Sequence, residues 1–182
     1  MQKCVLILSL VGMILCGTVV DNSGNVYQTI QIGDQIWMAE NLKVNYYNNG
    51  DEMPLGYSNN SWTNLSHGAW TPYGDINGIG DENREIYGLL YNWYAINDER
   101  GICPEGLHIP TRNDMEELII YLGGLDIEDN PNTEFNEIYY ENSQISGGKA
   151  KEIGIEHWES PNSGATNESG FTGLPGGWRD PT

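Results

Sequence analysis

The side chains able to do chemistry in this 182-residue chain are few, apart from a large excess of carboxylates: three histidines, three cysteines and six tryptophans. His67, His108 and His157 stand far apart, with none of the short Cys or His spacings that mark a zinc site, so metal ligation would need all three to converge in space. His108, between Leu107 and Ile109, reads as a half-buried histidine hydrogen-bonded locally. Cys4 and Cys16 lie in or at an apolar N-terminal segment, which leaves Cys103 alone. An internal disulfide is therefore not expected, and a solitary thiol of this kind reads as buried rather than reactive. With Asp and Glu totalling 26, a glycosidase-type carboxylate pair stays open, but nothing in the spacing selects two of them.

The tryptophans are more suggestive. Trp62, Trp70, Trp158 and Trp178 fall in loop-like segments rich in Gly, Asn and Pro. Flat rings so placed either stack on sugar faces or plug a loop-rich core. All four are candidate ligand-binding residues. The run from Asp75 to Asn83 is rich in oxygen donors, and Asp75, Asn77 and Asp81 are candidate calcium ligands. Position twelve counted from Asp75 is Ile86 instead of the bidentate glutamate of an EF-hand, so a solvated acidic turn competes with that reading.

These residues must be positioned by a small set of elements. Val26 to Ile32 alternates as a strand, Gly33-Asp34 suits a tight hairpin turn, and Gln35 to Met38 returns antiparallel. Residues 48–83 read as a long loop region with its own aromatic anchors. In Tyr87 to Ala95, Leu90, Trp93 and Tyr94 fit helical spacing, so a helix is expected there. The clearest helix spans Thr111 to Leu122. Thr111 and Asp114 make a near capping box, Met115, Leu118, Ile119 and Leu122 share a face, and Gly123-Gly124 ends it. Residues 125–146 read as an acidic insertion, and 147–152 as a helical turn or two.

Residues 1–16 combine a basic start at Lys3 with a dozen apolar residues, too short to span a bilayer and suited to an export signal. Cys16 is a candidate lipidation site, although Leu15 stands where a lipoprotein box has a small residue. Cleavage after Gly17 is the alternative. The formal charge is −18, and the segment up to residue 16 carries no acid, so the remainder is more acidic still. Such a surface repels nucleic acid and anionic lipid, leaving a lipid anchor as the expected route to a membrane.

Several strings resemble one family together: Asp21 to Tyr27, Ile32 to Leu42, Tyr87 to Ala95, Cys103 to Thr111, Gly147 to Glu152, and His157 to Gly177. In this order, over about residues 17 to 180, the chain resembles the Fibrobacter succinogenes major paralogous domain family. The resemblance implies an exported α+β domain related to the C-type-lectin-like and formylglycine-generating folds, with a small antiparallel sheet, one or two helices and long loops. It also implies a segment and final strand beyond Pro175-Gly176-Gly177, so the chain is expected to be truncated at its C-terminus. Family members often carry a cysteine near residues 69–73 able to pair with the one at Cys103. Ala69 to Tyr73 holds none, and a loss of about 2–4 kcal/mol is expected without that bridge. Formylglycine-generating relatives use paired cysteines, which Cys103 alone does not supply. Glu159-Ser160-Pro161-Asn162 is similar to a lectin Glu-Pro-Asn motif, but Ser160 breaks its spacing.

The expectation is a single domain at 17–182: an exported, non-catalytic, monomeric module that binds polysaccharide or a surface protein at the cell envelope, without a required cofactor and with calcium as the one candidate. The alternative is an enzyme related to the formylglycine-generating proteins.

Overall fold

The computed structural model describes residues 3–7, 17–56, 62–74, 81–123 and 145–179. Its organising unit is the expected hairpin. Strand β3 (Val26–Ile32) and strand β4 (Gln35–Met38) pair antiparallel with Thr29 opposite Met38 and Ile32 opposite Gln35. Gly33 turns the chain at φ 61, a conformation that side chains with a Cβ avoid. Alternation buries Tyr27 and Thr29 while Val26 and Gln28 face solvent, and at the end of the strand Ile32, on the opposite face from Tyr27, is buried as well. Strand β2 (Thr18–Val20) pairs with β3, and strand β1 (Val5–Ile7) pairs with β4, giving the order β1-β4-β3-β2.

β1 corrects one expectation directly. Cys103 is not alone: it forms a disulfide with Cys4, with Cα atoms 5.9 Å apart across 99 residues of sequence. Closing so long a loop restricts the unfolded chain and is worth about 2–5 kcal/mol. Part of the segment that reads as an export signal therefore packs in the sheet, and losing it would remove β1 and one half-cystine together.

Two apolar clusters flank the sheet. One gathers Cys4, Tyr27, Met38, Leu42, Tyr47 and Cys103, among others. The second joins Val5, Ile32 and Trp37 to Leu118 and Leu122. The last two come from the expected helix, which runs Arg112–Tyr121 after a complete Thr111/Asp114 capping box. Asp114 is 2 % exposed. Burial alone would raise its pKa, but hydrogen bonds from the Thr111 hydroxyl and amide and from His108 outweigh it and hold the carboxyl below its ordinary value.

A second, two-stranded sheet pairs β5 (Trp70–Pro72) with β6 (Leu89–Tyr91). The expected helix over Tyr87 to Ala95 is not one element. Helix α1 (Asp81–Tyr87) stops at Gly88, β6 follows, and only Trp93–Ile96 forms a helical turn, α2. The helix Arg112–Tyr121 is then α3. The break has a backbone cause. Gly88 sits at φ 66 with the Leu42 carbonyl 2.5 Å from where a Cβ would stand, and Leu89 N–H donates to that carbonyl. Residues 145–150 are helical, close to the expected turn. The result is an α+β fold with small antiparallel sheets. No helix among the described residues is long and apolar enough to cross a membrane.

Candidate functional site

A cleft of about 340 Å³ opens beside β6 and α2. Trp62, Trp93 and Trp178 line it together with Tyr91, Asn92 and Arg179. Each is fixed by a local device. Trp93 is the first residue of α2, whose N-cap is Asn92: the Asn92 carbonyl oxygen accepts from the amides of Ala95 and Ala69, both at 3.0 Å. Its amide nitrogen donates to the His67 carbonyl at 2.8 Å, so one side chain ties α2 to the loop before β5. Tyr91 presents its ring to the cleft while its hydroxyl donates inward to the Val44 carbonyl at 2.7 Å. Burial of that hydroxyl raises its pKa well above the ordinary tyrosine value, with the nearby Tyr27 and Asp21 adding to the effect.

Arg179 closes the other wall. It donates to the Gly56 carbonyl at 3.0 Å and to the Thr71 hydroxyl at 2.7 Å, and its guanidinium lies 4.8 Å from the centre of the Trp62 ring. Burial lowers its pKa from the ordinary arginine value. Next to it, Trp178 is 84 % exposed, and Trp93 across the cleft is 66 % exposed. Two such open rings on one cleft make an exposed apolar surface of the kind that marks binding grooves.

A second opening of about 580 Å³ lies beyond α2, lined by His67, Tyr94, Asn97, Asp98 and Arg100 among others. Arg100 bonds both carboxylate oxygens of Asp98 at 2.8 Å and Asp51 at 2.9 Å, with its guanidinium 3.7 Å from the Tyr47 ring centre. The Arg100 hydrogen bonds lower the Asp98 pKa to about 2. The adjacent rings of Trp93 and Tyr94 thus each wall a different opening.

Of the four tryptophans singled out in the sequence, Trp62 and Trp178 come together in the aromatic cleft. The other two serve as anchors. Trp70 donates from its indole to the Met53 carbonyl at 2.8 Å, and Trp158 to the Gly173 carbonyl at 3.0 Å. Trp158 also carries the Lys151 ammonium 4.5 Å from its ring centre and borders an apolar recess of about 240 Å³ beside α3. Trp93, Tyr91, Asn92 and Arg179 were missed. The only sequence signal for Trp93 is its place just after an asparagine suited to capping, and nothing there reveals that the ring faces out.

The histidines each have a local partner. His108 meets Asp114 at 3.0 Å, His157 meets Glu152 at 2.9 Å, and His67 meets the Gly68 carbonyl at 3.1 Å. Asp75, Asn77 and Cys16 lie outside the described residues, and Asp81 opens α1 with its side chain undescribed. Among the described residues no three His, Cys, Asp or Glu side chains group as a metal site. Asn167 satisfies backbone, its carbonyl oxygen accepting from Thr172 N–H at 2.9 Å.

No curated protein and no solved structure matches the chain. The family profile for the Fibrobacter succinogenes major domain matches residues 30–182, which include β4 to β6, the helices α1 to α3 and every described residue of the cleft. The chain belongs to the Fibrobacter succinogenes major domain family.

Proposed function

We propose that this chain is an exported, non-catalytic binding module of the cell envelope, with a C-type-lectin-like fold, and that its aromatic cleft holds a neutral polysaccharide. One observation carries the reading: Trp62, Trp93 and Trp178 converge on a single cleft, two of them with most of their ring area open to water. Flat, rigid rings are suited to the apolar faces of pyranose units, and they lose little conformational entropy on binding. The described lining residues offer stacking planes, an amide and a guanidinium, with no histidine, cysteine or carboxylate to serve as nucleophile or base. The formal charge of −18 disfavours an anionic polymer and leaves a neutral one.

The test is a panel of soluble neutral glucans, xylans and mannans beside anionic pectin and alginate, titrated calorimetrically into the full chain. At least one neutral polymer binds, and Trp178→Ala weakens that binding about tenfold or more, the loss of one stacked ring. Absence of binding to every polymer in the panel contradicts the proposal, as does binding that Trp178→Ala and Trp93→Ala leave unchanged.

A further inference from the structure

The slot between β4 and His108 has the construction of a receptor. Its occupant is the short stretch 3–7. Val5 is fully buried and bridged to the segment at His108: its N–H donates to the His108 carbonyl at 2.9 Å, and its carbonyl accepts from His108 N–H at 3.0 Å. On the opposite side the Cys4 carbonyl accepts from Met38 N–H at 3.1 Å. Three successive side chains then enter three separate recesses. The Lys3 ammonium donates to the Ala39 carbonyl at 2.8 Å and to the Phe171 carbonyl, and lies 3.9 Å from the Phe171 ring centre. Cys4 meets Cys103. Val5 packs among Ile32, Trp37, Leu118 and Leu122. Basic, cysteine, β-branched is the order that the slot reads.

Trp37, Met38, Ala39, Cys103, His108 and Phe171 all fall within the residues matched to the family, 30–182, while residues 3–7 fall outside them. The occupant also sits in the segment whose basic start and apolar run suit an export signal. If that segment is removed on export, the slot beside β4 and His108 loses the strand that fills it in this structure.

We propose that this slot is a strand-acceptor site: once residues 1–16 are removed on export, it takes an extended segment of a partner protein bearing a basic residue, a cysteine and a β-branched residue in that order, and joins that cysteine to Cys103. Backbone pairing to Met38 and His108 supplies affinity, and the three recesses supply specificity. The covalent step is thiol–disulfide exchange. The Cys103 thiolate attacks the partner cysteine, which arrives as a mixed disulfide with a small thiol such as glutathione. The Cys103–partner S–S bond forms, the old S–S bond breaks, and the small thiolate leaves and takes up a proton, so no net oxidant is consumed. This site is distinct from the aromatic cleft and stands or falls apart from the polysaccharide proposal.

The test disables the chain's own strand in the full-length protein with Cys4→Ser and Val5→Pro, which remove the half-cystine and the N–H that bonds His108. The probe is the peptide Gln-Lys-Cys-Val-Leu-Ile carrying glutathione on its cysteine, beside a control in which the lysine and cysteine exchange places. The matched peptide forms an adduct at Cys103 at least about tenfold faster than the control, and only the matched adduct melts higher than the unmodified variant. Equal rates with no rise in melting temperature overturn the proposal. A variant unfolded by itself that folds on adding the matched peptide supports it, and one that neither peptide folds counts against it. A second measurement needs no variant. Hydrogen exchange of the wild-type chain before and after reduction shows the Met38 and His108 amides exchanging at least about tenfold faster, with the β3–β4 ladder still protected. Unchanged exchange at those two amides contradicts an exchangeable strand.

Discussion

The two sides of this molecule are stabilised in opposite ways. On the sheet side, β3, β4 and α3 enclose Trp37, Ile32 and Leu118, and the Cys4–Cys103 bridge fastens β1 across them. Apolar rings there are inside: Trp37 is 1 % exposed. On the cleft side, Trp93 and Trp178 are largely outside, held by an asparagine cap and by the neighbouring Arg179 clamp instead of by a core. The same residue type is thus buried in one region and open to solvent in the other. The difference lies in which groups surround the ring, not in the ring itself.

Truncation separates the two regions most sharply. Trp37→Ala empties a site in the second cluster and removes the indole that donates to Gln35 at 3.0 Å. A loss of about 3–5 kcal/mol is expected in urea unfolding. A loss below about 1 kcal/mol would place the true core elsewhere.

The next largest effect is a pH dependence confined to the sheet side. Lys3 is 4 % exposed, and burial lowers its pKa to about 7, with Glu40 opposing. Between that value and the ordinary lysine value of 10.5 the unfolded chain binds the additional proton, so stability rises with pH across this window and is flat below it. The rise is on the order of a few kcal/mol and disappears in Lys3→Met. A wild-type curve that Lys3→Met does not flatten would show that this amine is not held in the folded state.

Smaller still is the contribution of the α3 cap. Thr111→Ala removes the hydroxyl that bridges Asp114 and costs about 0.5–2 kcal/mol by thermal unfolding. Smallest on this scale are the cleft rings. Trp93→Ala and Trp178→Ala change stability by less than about 0.5 kcal/mol, because their exposed faces bury little. A loss of several kcal/mol from either would turn that ring into a structural anchor like Trp70.

The hairpin was legible because alternation and a glycine turn are local signals: β3 and β4 run from Val26 to Ile32 and from Gln35 to Met38, as their pattern implies. The α3 cap was legible for the same reason. The bridge was not, since proximity of Cys4 and Cys103 across 99 residues is a property of the whole fold. Helical spacing of Leu90, Trp93 and Tyr94 misled because Gly88 and the Leu42 backbone impose a strand there, against the local preference. Two of the three tryptophans of the cleft, Trp62 and Trp178, were visible in loop-like sequence. Trp93 was hidden because exposure depends on neighbours that come from distant residues.

The central claim is that the cleft rings serve a ligand and the sheet-side ring serves the fold. The most direct test is calorimetric titration of a binding neutral polysaccharide into wild-type chain, Trp93→Ala, Trp178→Ala and Trp62→Ala, with melting temperatures measured on the same samples. The account predicts that binding falls about tenfold or more in each variant while melting of the Trp93 and Trp178 variants stays within a few degrees of wild type. Unchanged binding, or binding lost only in proportion to lost stability, would contradict it.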